Sequence, residues 1–249
     1  MWTVPIEIRV PTTADLLEMW ERGRADVPAR ALLLLGATVR ADSARELTEL
    51  ALGARNRLLL RARAVLFGSS CEVVADCVEC GTELESSLPV LALVSDSRPA
   101  GSVRALDCRG YQVRYRLPTG ADVVGLPGAV SRAALELLGR CVVDATVDGC
   151  PIGWTELPAD VTDRLDQAMR DGDPDALIEV ELICPTCGNA QLLPLEPAGF
   201  LWTEVDAWAW RVLGEVHQLA LAYGWEQDNI LALSPARRQT YLQLCGVGA

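Results

Sequence analysis

Two short stretches carry cysteines at a spacing suited to metal binding. Residues 77–81 read Cys-Val-Glu-Cys-Gly, and residues 183–189 read Ile-Cys-Pro-Thr-Cys-Gly-Asn. Each is a Cys-x-x-Cys turn closed by glycine and set between segments with strand character. A knuckle of this kind bends back on itself through a left-handed backbone, which glycine adopts cheaply. Two knuckles supply four thiolates, the tetrahedral set of a structural zinc ribbon. Cys77, Cys80, Cys184 and Cys187 are therefore the predicted Zn2+ ligands. With every position taken by sulfur, no place remains for water or substrate, so this ion would hold structure and do no chemistry. Two plainer readings compete. A redox dithiol needs a knuckle at a helix start inside a βαβ unit, a context the flanking pattern lacks. Four buried thiols would pack as small hydrophobes. Two copies of Cys-x-x-Cys-Gly seldom arise without a metal, which favours zinc over both. The remaining cysteines, Cys71, Cys108, Cys141, Cys150 and Cys245, show no paired spacing and read as packing residues.

Other chemistry is hard to find. The one histidine, His217, falls on the back of a long helix among Trp and Gln, where a surface or hydrogen-bonded structural role fits best. No phosphate-binding glycine loop, HExxH or GxSxG occurs, and the absence of lysine removes lysine-based catalysis. Carboxylates are plentiful without a telling pair. The formal charge of −12 repels nucleic acid and anionic membrane. The apolar run Ala29–Ala37 contains Arg30 and is about half the ~20 residues that cross a bilayer. Met1 to Arg9 lacks the pattern of a signal peptide, and zinc-type cysteine spacing fits a reducing cytoplasm. These features point away from an enzyme and toward a binding or structural protein.

The elements that position the knuckles read clearly. Cys71 to Val94 is strand, knuckle, strand; Ala176 to Ile183 leads into the second knuckle and Gln191 to Leu195 leads out. Ser95 to Ser102 reads as a linker. Beyond it, Val103–Cys108 and Tyr111–Leu117 form a hairpin about Arg109-Gly110, with Tyr111, Val113, Tyr115 and Leu117 on one face. Pro118–Gly128 is a loop. Ser131 caps a helix to Leu138, Cys141–Val147 is a strand turned by Asp148-Gly149, and Asp160–Met169 is a helix. The segment from Pro99 to Asp175 is thus inserted between the knuckles, and the ion would close a loop of roughly a hundred residues.

Helical modules flank this unit. Trp2–Val10 reads as a short strand or extended arm. Thr12 or Thr13 caps a helix ended by Gly23, Pro28 opens an apolar helix through Leu35, and Ser43 to Glu46 is a capping box before a third that Gly53 interrupts. Ala54–Phe67 is a fourth helix; the arginines of this module, those of the fourth helix included, read as a solvated face, with partner contact the lesser reading. At the other end, Phe200–Tyr223 carries Leu201, Val205, Trp208, Val212, Val216, Leu219 and Tyr223 as a core stripe. Trp210, His217 and Leu221 lie on its far side, where an exposed aromatic would suggest a partner surface and a helix wrapped on both sides is the competing reading. Gln227–Leu233 is a short helix, and Ser234-Pro235 opens the last, with Tyr241, Leu242 and Leu244 inward and Arg237 and Arg238 exposed. The expected fold is α+β, in four parts. These are an N-terminal helical module (1–70), a zinc-ribbon-like β unit (71–98 plus 176–198), an inserted small α/β segment (99–175), and a C-terminal helical module (199–249).

Several of these stretches resemble one family. Phe200 to Val205, Glu215 to Ala220, Tyr223-Gly224-Trp225, Ile230 to Arg238 and Tyr241-Leu242 are similar to the signature of T4-type baseplate hub and hub-assembly proteins. Asp15 to Gly23, Arg30 to Leu35 and both knuckles resemble its longer bacterial members. Glu226 departs from the pattern, where a Ser-like cap would follow Gly-Trp. The resemblance implies a non-enzymatic structural part of the baseplate hub in a contractile-tailed phage or phage-tail-like injection system. Its partners would be other baseplate, hub, spike or tail-tube proteins, met through Trp210, His217, Arg237 and Arg238, without nucleic acid or membrane insertion. A cytoplasmic assembly chaperone that leaves the particle is the alternative, and a zinc-ribbon nucleic-acid binder a more distant one.

Overall fold

The structure, a computed structural model, describes residues 7–41, 43–95 and 103–246. In chain order the helices are α1 (Thr13–Ala25), α2 (Arg30–Thr38), α3 (Ala44–Thr48), α4 (Leu52–Phe67), α5 (Val130–Cys141), α6 (Ala159–Gly172), α7 (Pro197–Tyr223), α8 (Gln227–Leu231) and α9 (Pro235–Leu244). The strands are β1 (Ser70–Asp76), β2 (Glu83–Pro89), β3 (Arg104–Cys108), β4 (Tyr111–Tyr115), β5 (Val142–Val147), β6 (Cys150–Ile152), β7 (Ile178–Ile183) and β8 (Ala190–Leu195). The chain thus mixes helix and sheet. It divides into two compact units, residues 1–40 with 198–249, and residues 41–197.

The first unit is helical. Thr12 opens α1 as a capping box: its hydroxyl accepts the Asp15 amide at 3.1 Å, and the Asp15 carboxylate accepts the Thr12 amide. Of the predicted N-terminal arm, Ile8 bridges Val39 antiparallel, while residues 1–6 lie outside the described residues. Gly23 does not end α1. A Cβ there would come within 2.4 Å of the Trp202 ring, so the glycine admits the indole rather than breaking the helix. Arg30 then lays its guanidinium 4.4 Å over the same ring. Along α7 the buried stripe is Leu201, Val205, Ala209, Val212, Val216 and Leu219. Each large apolar side chain so buried stabilises by about 1.5–3 kcal/mol, which anchors the helix far more firmly than its propensity. Trp208 and Tyr223, expected on that stripe, are half-buried and exposed, and Ala209 occupies the inward position. Val216 and Leu219 meet Ile230 of α8 and Leu242 of α9 in one cluster. Leu244, expected inward, is 71 % exposed, because Leu242 takes the core-facing position two residues earlier.

The second unit surrounds the knuckles. Ser43 caps α3 through the Glu46 amide. The chain breaks between α3 and α4 at Glu49–Ala51, so Gly53 lies inside the first turn of α4. It admits a neighbour: its amide donates to Asp173 Oδ2 at 2.8 Å, and a Cβ would come 2.0 Å from Oδ1. Asn56 donates to the Asp175 carbonyl at 2.9 Å, and Arg57 pairs with the Asp175 carboxylate. Arg63 donates to the carbonyls of Gly68 and Ser70. Arg57 and Arg63 are therefore buried, which corrects the expectation that the α4 arginines are solvated; long guanidinium stems reach backbone and carboxylate acceptors that α4 alone does not reveal.

The chain between the two hairpins forms an antiparallel sheet of order β3-β4-β5-β6, with Leu106 opposite Val113 and Val113 opposite Ala145. Val113, Tyr115, Leu138, Cys141, Val161 and Leu165 form its core with α5 and α6. Strand β6 was not foreseen, and α5 starts at Val130, so Ser131 lies inside the helix rather than capping it. Residues 96–102 of the predicted linker lie outside the described residues. Among the described residues no helix is long and apolar enough to cross a membrane.

Candidate metal centre

Strands β1 and β2 pair from Ser70 opposite Pro89 to Asp76 opposite Glu83, and β7 and β8 from Ile178 opposite Leu195 to Ile183 opposite Ala190. Alternation turns Leu84, Val180 and Leu182 inward, with Val73, Leu88, Leu193 and Leu195 beside them, into one small core that includes Cys77 and Cys184. The knuckles close the hairpin ends with the same two bonds. The Gly81 amide donates to the Cys77 carbonyl and the Gly188 amide to that of Cys184, both at 2.9 Å. The Cys77 amide donates to the Thr82 carbonyl at 2.9 Å and the Cys184 amide to that of Asn189 at 2.8 Å. Gly81 and Gly188 take φ of 69° and 74°, the left-handed turn inferred for both.

Sequence positions over a hundred residues apart thereby converge. The Sγ atoms of Cys77, Cys80, Cys184 and Cys187 all lie within 4.8 Å of one another and could hold a metal ion. Cys77 and Cys187 approach to 3.6 Å, as do Cys80 and Cys184. Thiolates about 2.3 Å from a tetrahedral zinc sit about 3.8 Å apart, so the spacing suits that ion and is far too long for a disulfide. Cys77 and Cys184 are buried, whereas Cys80 and Cys187 are exposed.

The four sulfurs are not electrostatically alike. The Thr82 hydroxyl and amide stabilise the Cys80 thiolate and draw its pKa down to about 6. The Asn189 amide favours the Cys187 thiolate too, but burial and the facing thiols outweigh it and push Cys187 up to about 12. Four thiolates so close repel one another, and a divalent cation among them would remove that cost.

One supporting residue escaped the sequence reading. Gln191, buried on β8, accepts the Val78 amide at 3.0 Å and donates to the Asp76 carbonyl at 3.1 Å. It ties the second hairpin to the first knuckle. The available signal was polarity on a core-facing strand position, in register with Leu193 and Leu195.

Of the other cysteines, Cys71, Cys108 and Cys141 are buried, Cys245 is half-buried, and Cys150, expected to pack inside, is exposed at the start of β6. The residues singled out for partner contact are not all at the surface. Trp210 is 56 % exposed and meets Trp20 edge-to-face at 6.0 Å, and His217 and Arg237 are exposed. Arg238 is not. It is buried, its Nε donates to Glu215 at 2.9 Å and its Nη1 to the Leu233 carbonyl at 3.0 Å. Its expected exposure is corrected for a simple reason: Arg238 precedes Leu242 by one helical turn and shares its inward face. Trp210 and His217 fall together on the outer side of α7, whereas Arg238, on α9, is buried against Glu215.

Comparison with known proteins places the chain. A family model described as T4 bacteriophage base plate protein matches residues 32–201, over half the chain, and takes in both hairpins and all four thiols. Apart from Phe200 and Leu201, the C-terminal stretches that carry much of the resemblance lie beyond the matched range. No curated protein and no solved structure matches the chain. Because the match spans both knuckles and the whole segment between them, the chain belongs to the T4 bacteriophage base plate protein family.

Proposed function

We propose that this baseplate-family chain is a non-enzymatic structural component of the hub region of a phage tail or contractile injection system, held together by one zinc ion. The observation that carries the reading is the closed four-thiol cluster joining two hairpins within the baseplate-family stretch. Cys77, Cys80, Cys184 and Cys187 would hold the ion as a zinc-ribbon-like centre. A bound zinc would supply a cross-link and, fully ligated by sulfur, neither acid nor nucleophile. The chain's own residues do the rest: Gly81 and Gly188 set the turns, Gln191 fixes one hairpin on the other, and the inward leucines exclude water.

Two measurements test the reading. Elemental analysis of protein purified without chelator should give one zinc per chain, with no iron and no visible colour, since four sulfurs also suit iron centres. Less than half an equivalent of zinc would overturn the site. Mass spectrometry of purified particles should find the chain at a fixed copy number. Absence from finished particles would replace the component reading with that of an assembly factor.

A further inference from the structure

The outer side of α7 carries a second pattern, opposite its buried stripe. Ala207, Trp210, Gly214, His217 and Leu221 recur at alternating steps of three and four, the spacing of a helix-packing seam. It covers about 21 Å at 1.5 Å per residue. Trp210 is 56 % and Leu221 74 % exposed, and a Cβ on Gly214 would meet nothing within 4 Å. A large ring, a gap and a leucine in succession form a surface of knobs and a hole.

Charge says what covers it. From Ala207 to Leu221 the only carboxylate of α7 is Glu215, which is buried and bonded to Arg238 and Gln239. The exposed side of this stretch presents Arg211, and Arg24 stands 5.5 Å over the Trp210 ring. Among the described residues neither Arg24 nor Arg211 pairs with a carboxylate, although the chain holds 34 acidic residues against 22 arginines. Asp206, at the edge of the strip, is taken by the Trp20 indole at 2.7 Å. The charges along it that no carboxylate pairs among the described residues, Arg24 and Arg211, are both positive, and its edge carboxylate Asp206 is already engaged by Trp20; in a chain of net charge −12 such a seam complements an apolar seam edged by carboxylates. A second copy would bring the same cations onto themselves.

We infer that the Ala207–Leu221 face of α7 is a docking seam for an amphipathic helix of another baseplate protein, one with Asp or Glu flanking its apolar positions. This rests on the baseplate reading and names the chemistry of the partner. Trp210 supplies the anchor, since binding energy concentrates in such residues, and Gly214 admits a side chain of the incoming helix.

The test uses the full chain in cells assembling particles, with a benzophenone amino acid at position 207 or 221. Cross-links from both positions to one helical segment of a different particle protein, with acidic flanks, are the expected result. Cross-links to a second copy, to a basic segment, or to nothing would overturn the seam. A second arm uses Leu221→Glu and the pair Arg24→Glu with Arg211→Glu. Each should cut recovery of the acidic-helix cross-link about tenfold while metal content and Tm stay put, and Arg24→Lys with Arg211→Lys should keep it; unchanged cross-linking in the charge-reversed chain would sink the proposal. Because cross-linking reports on assembling cells, the seam can stand even where purified particles lack the chain, an outcome that removes only the component reading.

Discussion

At the scale of single residues, environment separates groups of the same type. Cys77 faces three other sulfurs, whereas Cys245 packs on the α7–α9 cluster and reaches the Tyr241 and Leu242 carbonyls. Cys77→Ser should abolish metal retention and unfold or aggregate the protein, while Cys245→Ser should cost less than about 1 kcal/mol; equal effects in a metal assay and thermal melt would show the ligands misassigned. Arginines divide likewise. Removing Arg238 strands the Glu215 charge inside the helical unit, so Arg238→Ala should destabilise by about 3–5 kcal/mol, against about 0.5 for exposed Arg237→Ala, as read from urea midpoints. Asp122 gives a pH signature. Burial alone would raise it, but the Arg116 fork at 2.6 and 2.7 Å and the Thr119 amide and hydroxyl outweigh that and hold it at about 2, below its ordinary 3.8. A carboxylate with a depressed folded pKa contributes stability that is present above pH 3.8 and lost as pH falls through about 2. Asp122→Asn should therefore flatten the acid limb of the stability curve between those values and remove on the order of 2 kcal/mol at neutral pH. An unchanged acid limb would mean the loop at 118–122 is held otherwise.

At the scale of elements, most local signals are legible in the sequence, the cap expected at Ser131 excepted, and distant ones are not. Both knuckles, the caps at Thr12, Ser43 and Ser234, and the Tyr111–Leu117 alternation depend on neighbours within a few residues, and each stands in the structure where its residues put it. Gly23 and Gly53 were read as helix breakers because local grammar gives glycine that meaning. Their true cause lies far along the chain, in the Trp202 ring and the Asp173 carboxylate. Arg57, Arg238 and Gln191 were misjudged or missed for the same reason: their partners Asp175, Glu215 and Val78 are remote in sequence. Gly53→Ala decides whether that account holds. A methyl there meets a carboxylate fixed by the Gly53 amide itself and the Ala176 backbone at 3.0 Å, so neither can yield cheaply. The change should cost about 2–3 kcal/mol, despite the ~1 kcal/mol that alanine gains over glycine inside a helix. A stabilised variant in a thermal melt would mean that Gly53 is an ordinary helix position after all.

At the scale of the whole molecule, the chain's composition supplies a reporter for each unit. Of seven tryptophans only Trp154 lies between residues 41 and 197, the unit that holds the knuckles; the others belong to residues 1–40 and 198–249. Intrinsic fluorescence therefore reports chiefly on the helical unit, whereas the four thiols and the sheet report on the other. The core shared by the two hairpins is small, with Cys77, Leu84, Val180, Leu182 and Cys184 as its buried members. Such a core supplies little stability beyond the entropy of ordering it, so a cross-link between the knuckles would carry much of the load there. The helical unit has no such dependence, because the α7 stripe, Ile230 and Leu242 bury their surface without any of the four knuckle thiols. Stripping the metal with a strong chelator should accordingly move the loss of sheet signal in far-ultraviolet dichroism to much lower urea. The tryptophan transition should stay within about 1 kcal/mol of its value in untreated protein. If both signals shift together, the units unfold as one and the cross-link supports the whole chain. If neither shifts, the four thiols hold no structural ion, and the hairpins stand on Gln191 and their leucines alone.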